Sequence, residues 1–155
     1  MDEGFDFLQT FNPVDSKAEL LEETLIGRRE LVDLLETLVV ESATTGNKHQ
    51  RLIIGARGSG KTHLLRVLYN RVSIKKELKD KLKIAYLCED EYGIAKFLDF
   101  LVRIFNSFIK WDIDGSQYLL DEIENLKKTP IDDQEKIAVQ ILLNHIEGTT
   151  LLIIV

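Results

Sequence analysis

Apolar residues recur at helical spacing along most of the chain, and each such stretch predicts an amphipathic helix. The clearest apolar stripe runs over 94–108, and another runs over 28–42. A further helix is predicted to start near Lys61, immediately after a glycine-rich segment. Two more are predicted over about 116–127 and 132–146, on either side of a Thr-Pro dipeptide. Helices therefore account for most of the predicted elements.

Three short apolar runs predict buried strands instead of helices. They cover 51–54, 84–88 and 151–155, and helical segments separate them. A parallel pair of strands needs such a crossover to return the chain to the same edge of the sheet. The runs are continuous and do not alternate with polar residues, which is typical of a sheet covered by helices on both faces. The pattern therefore predicts a three-layer, doubly wound α/β fold.

Composition excludes several classes of protein. The chain has 155 residues, 45% of them hydrophobic, and a net charge of −6, which suits one soluble globular domain. Its longest apolar run, over 151–155, is far shorter than the roughly 20 residues that span a bilayer. The acidic N-terminus does not resemble a secretory signal, and the single Cys88 cannot form an internal disulfide. We therefore expect a cytoplasmic protein without a membrane segment.

Charge is distributed unevenly along the chain. Residues 48–83 carry a net charge of +9, although the whole chain carries −6. A basic segment in an acidic chain indicates either an anionic partner or a solvated helical face. The lysines over 75–83 are the candidates for contact with a nucleic-acid backbone, and the solvated face is the alternative.

One segment matches the phosphate-loop pattern G-x-x-x-x-G-K-[ST] at every fixed position. It consists of Gly55, Ala56, Arg57, Gly58, Ser59, Gly60, Lys61 and Thr62. The motif lies between a predicted strand and a predicted helix, which is the context that a phosphate loop requires. The sequence therefore predicts a nucleoside-triphosphate site, with ATP and Mg²⁺ as its cofactors.

Each residue type in this loop suits a polyphosphate. Glycines let the backbone N–H groups turn inward, and the following helix adds its own unpaired N–H groups. Lys61 supplies a charge for the phosphates, and Thr62 offers a hydroxyl to Mg²⁺, so these two are the predicted catalytic residues. Arg57 either lies in solvent or contacts a phosphate or a neighbouring subunit. His63 is assigned to the edge of the site, with packing or solvent exposure as the alternatives.

Two segments together resemble a known family. Residues 26–31 read Ile-Gly-Arg-Arg-Glu-Leu, similar to the Gly-Arg box that precedes the phosphate loop in AAA+ ATPases of the origin-recognition branch. Residues 53–62 resemble the phosphate-loop segment of the same proteins. Both boxes also occur in STAND signalling ATPases and in transposition regulators. The resemblance extends over about 25–155.

The resemblance implies a base-binding site upstream of the loop. In that family the Gly-Arg box lies against the adenine. This would put Leu25, Ile26 and Gly27 near the base, with Arg28 close by. A plain helix start with solvated arginines is the alternative interpretation of the box.

The sequence departs from the family pattern at its end. In these ATPases the third strand is followed by the Walker B Asp-Glu pair, whereas this chain ends at Val155, where the Asp would follow. We therefore expect residues 48–155 to be the N-terminal part of an ATPase core, and 1–47 to hold a lead-in, helices and the Gly-Arg box. The resemblance also implies an order of strands in the sheet. In that order, another strand that this sequence does not include lies between the phosphate-loop strand and the strand over 151–155. The isolated chain is accordingly expected to fold only partly.

The leading functional hypothesis is an ATP-binding and ATP-hydrolysing AAA+-type module that acts as a switch or motor in a larger, oligomeric protein. The resemblance implies DNA-linked work such as replication initiation, transposition or anti-phage defence. One alternative is a STAND-type signalling scaffold that recruits an effector. Another is a small-molecule kinase with a phosphate loop, although such kinases usually begin almost at that loop.

Overall fold

The computed structural model describes residues 18–87, 94–111 and 116–155. The chain forms two compact units, the first ending at Lys81 and the second beginning at Leu82. The predicted lead-in before residue 18, and Cys88 at the end of a predicted strand, lie outside the described residues. No helix in the described ranges is long and apolar enough to cross a bilayer.

The first unit is helical. It contains α1 (Ala18–Glu23), α2 (Arg29–Thr45), α3 (Lys61–Ser73) and a 3-10 turn (Lys76–Leu78). Both α1 and α2 pack on α3. The fully buried side chains of this unit are Leu21, Val32, Leu64, Val67, Val72 and Leu78. The predicted helix after the glycine-rich loop is therefore confirmed, and its apolar face forms the core of this unit.

Helix α2 ends three residues later than predicted. The sequence predicts a loop at 44–47, but the hydroxyl groups of Thr44 and Thr45 donate to helix carbonyls one turn earlier, at 2.7 and 2.8 Å. These bonds let threonine continue the helix, although it often favours other local structures. The helix ends at Gly46, whose φ of 78° lies in the left-handed region that glycine adopts readily.

The second unit contains a small parallel sheet flanked by helices. It consists of β1 (Leu82–Tyr86), α4 (Phe97–Trp111), α5 (Ser116–Lys128), α6 (Ile131–His145) and β2 (Thr150–Ile154). The two strands pair in parallel, and α4 packs on β1 while α5 and α6 pack on α4. The core of this unit includes Ala85, Leu101, Ile104, Phe105, Phe108, Leu119 and Leu126. Two predicted strands and three predicted helices are thus confirmed within a few residues.

A buried serine joins α4 to the sheet. The Ser107 hydroxyl accepts a hydrogen bond from Tyr86 N at 2.8 Å and lies 3.1 Å from Tyr86 O, to which it donates. Ser107 is 6% exposed. Because both its donor and its acceptor are used, this polar group can be buried at little cost.

The first predicted strand, over 51–54, is not formed. Leu52 and Ile54 are 85% and 86% exposed, and the sheet of the described residues has two strands, β1 and β2. An apolar run becomes a strand only when a neighbour pairs with its backbone groups, and none of the described residues does so for 51–54. The α/β prediction holds in its coarse form, but the predicted strand over 51–54 is wrong for this structure.

Candidate nucleotide-binding site

Residues 55–60 form a tight loop between the extended segment 51–54 and α3. Ser59 N–H donates to Ala56 O at 3.1 Å, which closes a turn within the loop. Gly58 and Gly60 have φ values of 77° and 79°, in the left-handed region that side chains disfavour. The loop can therefore adopt this path because glycine occupies both positions.

Gly55 is required for a different reason. A Cβ atom at this position would lie 2.6 Å from Ser59 Oγ, so the serine hydroxyl occupies the space that a side chain would need. Ser59 Oγ is itself buried and has no hydrogen-bond partner in the described part of the chain. A buried hydroxyl without a partner is destabilising, and a bound oxygen-rich ligand would supply one.

Lys61 folds back onto the loop. Its Nζ donates to Gly55 O at 2.9 Å and to Ala56 O at 3.1 Å. The ammonium group therefore lies over the loop and not out in solvent. Its partners are neutral carbonyl groups, which leave the positive charge uncompensated.

The start of α3 is electrostatically suited to an anion. Gly60 is the N-cap residue, and the first turn of α3 contains no acidic residue. The first N–H groups of a helix have no partner inside the helix and carry the positive end of its dipole. Lys61 and Thr62 are the first two residues of this helix, so an ammonium and a hydroxyl flank the same N–H groups.

Thr62 is the residue of this loop that could contact Mg²⁺. Mg²⁺ in nucleotide sites usually keeps several waters and takes its other ligands from phosphates and one or two protein oxygens. The Thr62 hydroxyl could supply such an oxygen. Within the described ranges no group of three or more His, Cys, Asp or Glu side chains could hold a metal ion.

The Gly-Arg box follows α1, and its predicted base-binding residues differ in exposure. Leu25 is 3% exposed and belongs to the core, whereas Ile26 is 86% exposed. Gly27 has a φ of 68°, and no atom lies within 4 Å of where its Cβ would be. A side chain at Gly27 would therefore meet backbone strain and no steric obstruction.

The structure brings the box and the phosphate loop together. A Cβ built on Gly60 would lie 3.4 Å from Arg28 Nη1. His63, in the first turn of α3, has its Nε2 2.7 Å from Leu21 O and 3.4 Å from Thr24 Oγ1. A ring nitrogen this close to a carbonyl oxygen must carry the proton, so His63 donates to the end of α1. His63 therefore joins the start of α3 to the end of α1.

Sequence analysis missed an ion cluster that joins the three helices of the first unit. Arg71 donates to both carboxylate oxygens of Glu22, at 2.5 and 2.8 Å, and also to Asp33 at 2.6 Å and Glu36 at 3.3 Å. The hydrogen bond from Arg71 lowers the pKa of Glu22. Glu36 also binds Lys75, at 2.9 Å, and raises the pKa of that lysine. No local sequence pattern signals this cluster, because its members come from separate helices.

The basic residues over 71–81 differ in their partners. Arg71 and Lys75 are paired with carboxylates. Lys76, Lys79 and Lys81 are exposed on the 3-10 turn and just after it. These three lysines have the exposure that contact with a nucleic-acid backbone requires.

Comparisons with known proteins do not assign this chain to a family. A scan against models of protein families, a search of curated proteins and a search of solved structures each found no match. The functional argument therefore depends on the residues and geometry of the chain itself.

Proposed function

We propose that this chain binds ATP with Mg²⁺ at the 55–62 loop and works as part of an AAA+-type ATPase of the P-loop class. The observation that carries the proposal is the loop itself, in which left-handed glycines lead into a helix N-terminus and the Lys61 ammonium lies over the loop. Such a combination of N–H groups and a cation is how proteins commonly neutralise a polyphosphate.

Each loop residue then has a role in binding. Lys61 would exchange its hydrogen bonds to Gly55 O and Ala56 O for bonds to phosphate oxygens, which carry the charge that those carbonyls lack. Thr62 would give its hydroxyl to Mg²⁺, and the ion would help to neutralise the phosphates. Ser59 Oγ would gain a partner for its buried hydroxyl.

The base would lie at the Gly-Arg box. Ile26 is an exposed apolar side chain, and burying it under an adenine would remove that surface from water. Leu25 would fix the box to the core below, since it is almost fully buried. The approach of Arg28 to Gly60 supports one continuous site for base and phosphates, and His63 holds the end of α1 beside it.

We assign the ATPase to a DNA-linked process, such as replication initiation, transposition or anti-phage defence, in an oligomeric assembly. Support comes from the resemblance and from the exposed lysines at 76, 79 and 81, which could contact a phosphate backbone. A STAND-type signalling ATPase shares both boxes and is the second candidate. Slow turnover of tightly bound nucleotide would favour that candidate.

The direct test compares nucleotide binding by the whole chain with and without the lysine. Lys61→Ala should weaken Mg·ATP binding by about 10- to 100-fold, since a hydrogen bond to a charged group contributes about 1.5–3 kcal/mol. Lys76→Ala, which removes an exposed lysine outside the loop, is the matched control and should bind normally. Isothermal titration calorimetry measures both, and equal affinity in the Lys61→Ala variant and the unmodified chain would refute the site.

Hydrolysis requires a second test, because it also needs a carboxylate that orients water. The resemblance assigns that role to an Asp-Glu pair after the strand that corresponds to β2. Phosphate release should therefore be measured separately from binding, with and without Lys61→Ala. Release that does not change when Lys61 is replaced would contradict the proposed catalytic role.

A further inference from the structure

Arg28, which the resemblance puts close to the base, lies beside the phosphate loop in the structure. It is the N-cap residue of α2 and is partly buried. Its guanidinium Nη1 approaches the N-cap residue of the neighbouring helix, with 3.4 Å between this nitrogen and a Cβ built on Gly60. Arg28 therefore points at the start of α3, where the phosphate loop ends.

This position is electrostatically unfavourable for a cation unless an anion is also present. The N-terminus of α3 carries the positive end of the helix dipole, and the Lys61 ammonium lies over the same loop. No ion pair with a carboxylate is found for Arg28 among residues 18–87, 94–111 and 116–155. Glu22 and Asp33 of the same unit bind Arg71. Two cations and a helix N-terminus thus lie at one loop, and no carboxylate in the described ranges forms an ion pair with either cation.

The chemistry of the Arg28 and Ser59 side chains indicates which type of anion could bind here. Guanidinium groups form paired hydrogen bonds with phosphate oxygens, for which their planar geometry is well suited. Ser59 Oγ, inside the same loop, is a buried hydroxyl without a partner in the described ranges, which independently indicates an oxygen-bearing ligand there. A phosphate group satisfies both side chains at once.

We propose that Arg28 binds the phosphates, and is a second cationic ligand of the polyphosphate beside Lys61. This inference rests on the proposed nucleotide site and makes it more specific. The Gly-Arg box would then contact the nucleotide twice, through Ile26 at the base and through Arg28 at the phosphates. Inorganic tripolyphosphate, which has no base, should therefore depend on Arg28 as strongly as ATP does.

The first experiment compares two ligands and two neighbouring arginines in the whole chain. Arg28→Gln should weaken the binding of both Mg·ATP and tripolyphosphate by about tenfold, which corresponds to about 1.4 kcal/mol. Arg29→Gln is the matched control, because Arg29 is exposed and is the first residue of the same helix; it should change neither affinity more than twofold. If Arg28→Gln weakens the binding of ATP alone, Arg28 contacts the base and not the phosphates. If it weakens the binding of neither ligand, Arg28 is not a ligand of the nucleotide. Both results would overturn the proposal.

The same measurements on Lys61→Ala separate this inference from the proposed function. If Lys61→Ala leaves the binding of tripolyphosphate unchanged, the nucleotide site itself is wrong. If Lys61→Ala weakens binding while Arg28→Gln does not, the site stands and only the role of Arg28 is refuted.

A second experiment needs no variant and so does not depend on folding of a mutant. Phenylglyoxal modifies accessible arginine side chains, and peptide mass spectrometry identifies the modified residues. Saturating tripolyphosphate should lower the modification of Arg28 at least fivefold and leave that of Arg29 unchanged. Equal modification of Arg28 with and without tripolyphosphate would overturn the proposal.

Discussion

The ion cluster around Arg71 offers the sharpest test of how the first unit is held together. Arg71 lies near the end of α3, and its side chain is 22% exposed. It binds Glu22 on α1 with two hydrogen bonds, and it binds Asp33 and Glu36 on α2 with one each. One side chain thus connects all three helices. Arg71→Met keeps most of the side-chain volume and removes every one of these bonds.

The expected loss of stability in Arg71→Met depends on how exposed each carboxylate partner of Arg71 is. Glu22 and Asp33 are 37% and 63% exposed, so solvent screens much of their attraction to Arg71. Exposed pairs contribute about 0.2–1 kcal/mol each, whereas Glu36, at 19% exposure, should lie at the upper end of that range. The substitution also leaves three carboxylates close together without a cation. We expect a loss of about 2 kcal/mol in the free energy of unfolding.

Urea denaturation of the whole chain, followed by circular dichroism, measures this loss. Lys79→Met removes an exposed lysine outside the cluster and is the control. Hydrogen exchange should show faster exchange in α1 and α3 of the Arg71→Met variant and little change in α4. A loss below about 0.5 kcal/mol in the free energy of unfolding would show that the cluster contributes little to the stability of the first unit.

The pH dependence of stability has a definite sign. The pKa of Glu22 is lowered in the folded chain, mainly by the hydrogen bond from Arg71. Its contribution is therefore present above the ordinary glutamate pKa of about 4.3 and is lost as the pH falls through the lower, folded value. In Arg71→Met the pKa of Glu22 returns toward its ordinary value, so the loss of stability on acidification should be smaller. An equally steep loss in both proteins would contradict this assignment.

Two further predictions concern single side chains. Gly55→Ala should weaken ATP binding about tenfold, because the added Cβ would lie 2.6 Å from Ser59 Oγ. Combining it with Ser59→Ala should restore part of the affinity, because the nearest remaining atom, Ser59 Cβ, would be 3.5 Å away. Titration calorimetry of the single and double variants checks this, and no recovery in the double variant would refute the steric explanation. Ser107→Ala should cost about 1–3 kcal/mol, because it removes both hydrogen bonds to Tyr86 inside the second unit. Urea denaturation measures this loss, and a change below about 0.5 kcal/mol would contradict it.

Local sequence patterns predicted the helices and strands that depend mainly on residues close to one another in the chain. The α3 helix starts at Lys61 as expected, because the glycine that precedes it and the apolar spacing that follows act within a few residues. Strands β1 and β2 lie within two residues of their predicted positions, since each is an apolar run between helices. In contrast, segment 51–54 has the same apolar character and is not a strand. Pairing, not composition, decides whether such a run enters a sheet.

The candidate site was only partly predictable for the same reason. The loop motif identifies Gly55, Gly60 and Lys61 from sequence, because it encodes a local backbone path. The contact of His63 with the end of α1 depends on how α1 packs on α3, and no spacing rule in the sequence describes that packing. The burial of Leu25 beside the exposed Ile26 is likewise a property of the packed helices.

The arrangement of the first unit links its stability to its proposed chemistry. The Gly-Arg box and the phosphate loop meet because α1 and α2, which lie on either side of the box, both pack on α3. Two contacts connect α1 to opposite ends of α3. His63 holds α1 at the loop end, and Arg71 binds Glu22 at the far end. Neither residue need touch a nucleotide for the site to depend on it, because both keep Arg28 beside Gly60. The ion cluster is therefore a positioning element of the site, although the motif that identifies the site does not contain any of its members.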